Sequence, residues 1–182
     1  MTGPVPGGPR APGGDHDGGG DDGGVGEAGD PGRGDDLEVV TRLLGRPPAG
    51  RFEVVVRSGD GTPAVIANEP FLDDGTPMPT RYWLVDPVLR ESVGRLESLG
   101  GVRQAEAAVS PRALAEAHAR YAAERDGLVP AGRPGPRPTG GVGGTRQGVK
   151  CLHAHLAWWL AGGDDPVGEW TADRIGLHAA PG

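Results

Sequence analysis

Glycine and proline are concentrated in two stretches of this chain, and they limit where a packed core can form. Residues 1–35 contain 14 Gly, 5 Pro, 7 acidic residues, 2 Arg and no aromatic residue. Such a segment has too little apolar surface to offset the roughly 1–2 kcal/mol per residue of backbone entropy that ordering costs. We therefore predict that residues 1–35 form a disordered acidic tail. The open alternative is an acidic arm that contacts a partner.

The remaining 147 residues carry all eight aromatic residues of the chain and a net charge of only −2. This length predicts one domain, which can bury about two thirds of the surface that its unfolded chain exposes. The acidic balance argues against a nucleic-acid-binding module, and no apolar run approaches the ~20 residues that cross a bilayer. Cys151 is the only cysteine, so the chain has no internal disulfide. With no secretory leader at its start, we predict a cytoplasmic protein.

Three short apolar segments indicate an antiparallel sheet. In the first, apolar and charged side chains alternate, which predicts a strand with Phe52, Val54 and Val56 on one face. A turn rich in glycine follows it and permits an antiparallel return. The predicted strands are residues 51–57, 64–67 and 81–85.

Proline directly after a capping residue marks the start of two helices, at Asp86-Pro87 and at Ser110-Pro111. Apolar residues at helical spacing extend the prediction to about four helices, which begin at residues 36, 86, 110 and 149. We therefore predict an α+β fold, in which a small three-stranded antiparallel sheet packs with about four helices. Residues 36–168 would form this single domain, with a Gly/Pro-rich loop at 130–148. Residues 169–182 would form a weakly ordered C-terminal tail.

The Gly/Pro-rich loop contains 7 Gly, 4 Pro, three Arg and no acidic residue, and it leads into the helix predicted at residues 149–161. Glycine lets backbone N–H groups approach an anion closely, and a helix N-terminus offers unpaired donors. The pattern predicts a phosphate-type anion site at residues 140–150, although it lacks the ending of a Walker A loop. A flexible linker between helices is the open alternative. The predicted anion-binding residues are Gly141, Gly143, Gly144, Arg146 and Lys150.

Two histidines are candidates for acid–base chemistry, because an imidazole titrates near neutral pH. His118 lies beside the apolar stripe of the helix that starts at residue 110, and His153 lies in the helix at 149–161. Cys151 and His155 are four residues apart on one flank of the latter helix, so they are weak candidates for metal ligands. His153 points away from both, and two ligands are too few for a structural zinc site. We favour no metal and predict no cofactor.

Several short motifs occur in a recognisable order along the chain. They are Leu44-Gly45-Arg46-Pro47-Pro48, Asp74-Gly75-Thr76-Pro77-Met78-Pro79-Thr80 before Tyr82-Trp83-Leu84, Arg95-Leu96-Glu97, His118 with Tyr121, Gly140-Gly141, Val149-Lys150-Cys151-Leu152-His153 and Asp165-Pro166-Val167-Gly168. Over roughly residues 36–168, this ordered set resembles the actinobacterial domain-of-unknown-function family 501. The resemblance implies no established activity. It implies genes near those of a septum-formation initiator and an exopolyphosphatase, and so an envelope or phosphate context.

The chain departs from the pattern of that family in the first hairpin turn. Family members often carry Cys-Pro-Cys-Gly or Cys-Pro-Asn-Gly there, whereas this chain has Ser58-Gly59-Asp60-Gly61. Some members also have a cysteine where Asp86 stands. If those thiols bind a metal together with the cysteine that matches Cys151, this chain has lost most of the ligands. The departure weakens the metal hypothesis further.

Two functions follow from these observations. The sequence contains no complete catalytic set, which favours a non-catalytic protein that binds a partner protein; the resemblance implies a cell-envelope or division context for that partner. The alternative is an anion-binding protein, or an enzyme acting on a phosphorylated small molecule, that uses residues 140–150. We expect no nucleic-acid partner and no membrane span.

Overall fold

The computed structural model describes residues 31–177 of the protein. Within them the chain forms six α-helices, three strands and a short 3-10 turn at Val142–Gly144. The strands are β1 (Phe52–Arg57), β2 (Pro63–Asn68) and β3 (Tyr82–Leu84), and the helices are α1 (Pro31–Leu44), α2 (Pro87–Ser98), α3 (Gly101–Ala108), α4 (Pro111–Gly127), α5 (Leu152–Leu160) and α6 (Pro166–Arg174). The α+β fold with a three-stranded antiparallel sheet is confirmed, with six helices instead of about four. None of these helices is long and apolar enough to cross a bilayer.

The central strand of the sheet is β2, which pairs antiparallel with β1 on one side and β3 on the other. All six of its residues are buried, because helices cover both faces of the sheet. On one face Ile66 packs in a small apolar cluster with Val40 of α1 and with Val85. On the other face Val65 and Ala67 join the main core, to which helices α2 to α6 contribute. A continuous apolar run is typical of a strand buried in this way.

The edge strand β1 contains an irregularity that its alternating pattern does not predict. Val54 lies opposite Ile66, and Val56 lies opposite Val65, which is adjacent to Ile66 in β2. One β1 residue, Val55, is therefore extra, and a bulge of this kind sends the following side chain to the other face. Val54 packs with the α1 cluster, whereas Val56 packs against the main core. The prediction that Val56 shares the face of Val54 is wrong.

Helices α2 and α4 begin at their predicted caps. Asp86 Oδ1 accepts a hydrogen bond from Leu89 N at 2.8 Å, and Ser110 Oγ accepts one from Ala113 N at 3.2 Å, which satisfies donors that the first turn leaves unpaired. The pair Gly100-Gly101 predicts the end of the α2 helix, but the sequence pattern gives no sign of α3, which includes Gly101. Gly100 has φ +83°, so it turns the chain and lets α3 start at the next residue.

Both ends of the described region extend past the predicted domain limits. Helix α1 begins at Pro31, not at Asp36. Helix α6 reaches Arg174, so residues 169–174 are helical although we predicted a weakly ordered tail there. The physical reason is burial, since Thr171 and Ala172 are 0% and 1% exposed. Of the predicted disordered tail, residues 1–30 lie outside the described residues, as do residues 178–182 at the other end.

Candidate functional site

His118 of α4 joins the two ends of the glycine loop. Its Nδ1 accepts a hydrogen bond from Val142 N at 3.0 Å, and its Nε2 lies 3.0 Å from the carbonyl oxygen of Gly148. Since a backbone N–H can only donate, Nδ1 carries the lone pair and Nε2 carries the proton. Burial is the main cause that lowers the pKa of His118 below 6.5. Both nitrogens of this neutral ring are therefore engaged within the chain.

The predicted anion-binding glycines form a compact turn. Gly141 N donates to Thr145 O at 2.7 Å, and Gly144 N donates to Gly141 O at 2.9 Å. Gly143 and Gly144 have φ of +66° and +74°, a conformation that residues with a side chain rarely adopt. A Cβ on Gly141 would overlap the Cβ and Nδ1 of His118. These glycines allow tight folding against α4, and the donors of Gly141 and Gly144 are already used.

Carboxylates from two neighbouring helices lie at the start of α5. Glu97 of α2 accepts a hydrogen bond from Leu152 N at 2.6 Å, and Glu106 of α3 accepts one from Val149 N at 2.7 Å. Helix α5 begins at Leu152, three residues after the predicted start, with Cys151 as its cap residue. The side chain of Cys151 makes no capping hydrogen bond, so Glu97 supplies the anion that a helix N-terminus attracts.

The two cations of the predicted anion site, Arg146 and Lys150, are exposed. Neither forms an ion pair with the described residues. His153, the second acid–base candidate, has different partners from His118. Its Nδ1 lies 3.2 Å from Glu97 Oε1, and its Nε2 lies 3.2 Å from Arg90 O. The structure therefore gives His118 and His153 no shared partner.

The metal candidates Cys151 and His155 also have separate surroundings. His155 is 0% exposed, and its Nδ1 donates to Asp165 Oδ2 at 2.7 Å. The other oxygen of Asp165 caps α6 through the backbone N–H groups of the second and third residues after it. Burial raises the pKa of the Cys151 thiol, which keeps it protonated and a poor metal ligand. In residues 31–177, no three His, Cys, Asp or Glu side chains are grouped so as to hold a metal.

Arg125 of α4 is a buried site residue for which the sequence gives no signal. It is 1% exposed and donates from Nη1 to Gly140 O at 2.8 Å and to Pro79 O at 3.3 Å. Asp126 Oδ1 lies 2.8 Å from its Nη2 and balances the charge. The carbonyl partners lie 15 and 46 residues away in the chain, so no local pattern could have predicted them.

Two clefts open on the surface of this framework. The first, which we call the loop cleft, has a volume of about 440 Å³ and lies between the α3–α4 corner and the glycine loop. It is lined by Glu106, Val109, Pro111, Leu114, Ala115, His118, Arg146, Gln147 and Gly148. The second, which we call the hairpin cleft, has a volume of about 690 Å³. It is lined by residues 51–53, 67, 69–73, 75, 81, 128, 130 and 133.

A family comparison covers most of this framework. The profile of the family described as "Protein of unknown function (DUF501)" matches residues 54–173, more than half of the chain. The chain belongs to this family. Comparisons with curated proteins and with solved structures find no match. The DUF501 match includes every residue of the loop cleft as well as Glu97, Arg125 and Asp165, whereas α1 precedes it.

Proposed function

We propose that this DUF501 protein is non-catalytic and binds a partner protein through the loop cleft. The observation that carries the proposal is the lining of this cleft, where Val109, Pro111 and Leu114 provide an apolar wall and Arg146 provides an exposed cation. A concave apolar site with a charged edge suits one anchoring side chain of a partner, flanked by a complementary charge. The partner segment would insert an apolar side chain and place an acidic group near Arg146.

The hydrogen bonds of the candidate acid–base residues support a non-catalytic role. A general acid or base needs a nitrogen or oxygen within hydrogen-bond reach of the substrate. In His118 both nitrogens are occupied by the backbone of Val142 and Gly148. In His153 both nitrogens face Glu97 and the backbone of Arg90. These histidines fit the role of structural connectors better than the role of catalysts.

The alternative proposal is binding of a phosphorylated small molecule at residues 140–150. Its support is the pair of exposed cations, Arg146 and Lys150. It is the weaker proposal, because Glu97 adds negative charge at the start of α5, where the ligand would bind. The backbone donors of Gly141, Val142 and Gly144 are already paired, so the ligand would depend mainly on two exposed side chains.

Site-specific cross-linking tests the partner proposal. A photo-reactive residue at Gln147, which lines the loop cleft, should capture a partner, whereas the same residue at Ala123 on α4 should not. The purified partner should then lose binding to Ala115→Arg, because the new side chain fills the cleft. Ala123→Arg, an exposed substitution on the same helix, should bind normally. Equal binding of the partner to both variants would contradict the proposal.

A thermal-shift series with inorganic phosphate, polyphosphate, nucleotides and sugar phosphates tests the alternative. A ligand that binds only the folded protein raises its stability by RT ln(1 + [L]/Kd). If the alternative holds, Arg146→Ala combined with Lys150→Ala should abolish the shift and leave the melting temperature without ligand nearly unchanged. If no phosphate compound shifts the wild-type protein, the alternative is excluded.

A further inference from the structure

The hairpin cleft is a second concave site, separate from the loop cleft. It lies where β1 starts and β2 ends, and the segment after α4 forms its opposite wall. The two clefts share no lining residue. Its volume of about 690 Å³ is within the range of roughly 300–1,000 Å³ that is typical of small-molecule sites.

Apolar side chains give the hairpin cleft a surface for an apolar ligand body. Phe71 and Leu72 line it from the loop after β2, and Leu128 lines it from the end of α4. Leu128 is 47% exposed, so about half of its side chain is open to a ligand. A ligand that covers Leu128 and Leu72 would remove this apolar surface from water.

Two guanidinium groups at the cleft are held in place by contacts within the chain. Arg133 stacks over the ring of Phe71 at 3.7 Å, and its Nη2 donates to Gly75 O at 3.4 Å. Arg81 donates from Nη1 to Asn68 O at 3.0 Å, and its Nε lies 3.5 Å from Glu124 Oε1, which balances its charge. Side chains that are already fixed lose little entropy when they bind a ligand. Arginine is also the residue best suited to grip a carboxylate.

Acidic residues line the same cleft and set its charge pattern. Arg51 and Glu69 form an ion pair at 3.0 Å and largely neutralise each other. Glu53 and Asp73 form no ion pair with the part of the chain that the structure describes. Within the described residues, the cleft therefore presents two acids and one arginine, Arg133, that have no ion pair. A purely anionic ligand would be repelled by the acids, and a purely cationic ligand would be repelled by the arginines.

We propose that the hairpin cleft binds a small zwitterion with an apolar body, which is the chemistry of a free apolar amino acid or a short apolar peptide. Arg133 takes the carboxylate, Asp73 and Glu53 take the ammonium group, and the body covers Leu128. The proposal is independent of the proposed function, because it concerns different residues and a different class of ligand.

Calorimetric titration of the full chain tests the proposal with four probes. They are phenylalanine, the dipeptide Phe-Phe, N-acetyl-phenylalanine, which lacks the ammonium group, and phenylalanine amide, which lacks the carboxylate. We expect one of the two zwitterions to bind, and each blocked compound to bind at least about tenfold more weakly. Tighter binding of phenylalanine would indicate a free amino acid as the ligand, and tighter binding of Phe-Phe would indicate a short peptide. Absence of binding by both zwitterions at millimolar concentration would overturn the proposal, as would equal binding of N-acetyl-phenylalanine.

Two variants, each of which removes one charge from the cleft, test the two ends of the ligand separately. Asp73→Asn should weaken binding of the zwitterion about tenfold but leave binding of N-acetyl-phenylalanine unchanged, because that compound has no ammonium group for Asp73 to bind. Arg133→Gln should weaken the zwitterion and leave phenylalanine amide unchanged. Arg137→Gln is the matched control, since Arg137 is exposed in the same loop and does not line the cleft. All three substituted residues are exposed, so the variants should fold, and circular dichroism checks that they do. Unchanged zwitterion affinity in both Asp73→Asn and Arg133→Gln would refute the assigned roles.

Discussion

His118 stabilises the fold only while its ring is neutral, because Nδ1 must accept the hydrogen bond of Val142 N. Protonation would put an N–H on Nδ1, and this N–H would face the N–H of Val142. Nearby charges act in both directions, since His155 lowers the pKa of His118 and Asp165 raises it, but burial outweighs them. The folded pKa is therefore below 6.5, whereas the unfolded chain titrates near its ordinary value. As the pH falls, the unfolded state takes up the proton first.

This order of protonation predicts the direction in which the free energy of unfolding changes with pH. The stabilisation from His118 is fully present above 6.5 and is lost as the pH falls from 6.5 through the folded pKa. Urea unfolding between about pH 7 and about pH 5 should show the free energy of unfolding fall more steeply for the wild type than for His118→Gln. Parallel curves would mean that the folded and unfolded states bind this proton equally, which would contradict a lowered pKa of His118 in the fold.

Gly141 is the residue that lets His118 and the loop meet, and its substitution tests that close contact. A Cβ at this position overlaps His118, so Gly141→Ala should cost about 1–3 kcal/mol of unfolding free energy through overpacking. Gly94→Ala is the control, and it should change the unfolding free energy in the opposite direction. The added Cβ meets nothing within 4 Å there, and Ala in place of Gly inside α2 should stabilise by about 0.5–1 kcal/mol. Chemical denaturation of both variants measures the contrast, and a harmless Gly141→Ala would disprove the close packing.

At the level of elements, the sequence predicts those features whose causes are local. The starts of α2 and α4 were predictable because the cap and the proline stand side by side in the sequence. The start of α5 was not, because its acceptors Glu97 and Glu106 lie 55 and 43 residues away from the donors they bind. The bulge in β1 likewise depends on pairing with β2. In the candidate site, the sequence predicts candidate residues such as His118, but it does not predict the groups to which they bind.

The anchoring of α5 by Glu97 can be measured directly. Glu97→Ala removes the acceptor of Leu152 N, which leaves a partly buried donor unpaired, and should cost about 1–2 kcal/mol of unfolding free energy. Hydrogen exchange at the Leu152 amide should become faster. Glu91→Ala, which removes a carboxylate from an exposed pair with Arg95, should change stability by less than about 0.5 kcal/mol. Unchanged exchange at Leu152 in Glu97→Ala would show that the carboxylate does not cap the helix.

On the scale of the whole molecule, the sheet lies between α1 and the other five helices. The DUF501 match begins at residue 54, after α1 has ended, so the family comparison leaves open whether α1 belongs to the folding unit. The packing favours its membership. Ile66 and Val85 are both 0% exposed, and Val40 of α1, also 0% exposed, shares their cluster. Without α1 this face of the sheet would be an apolar surface in water.

A charge placed in this cluster decides whether α1 is part of the cooperative fold. Val40→Asp buries a carboxylate with no partner in the cluster, so it should lower the free energy of unfolding by about 3 kcal/mol or more. Leu37→Asp introduces the same charge in the same helix at a position that is 50% exposed, and should cost less than about 1 kcal/mol. Urea unfolding followed by tryptophan fluorescence measures both, because Trp83 packs against this cluster. If the two variants unfold at the same urea concentration as the wild type, α1 does not contribute to the stability of the sheet, and the folding unit begins at β1.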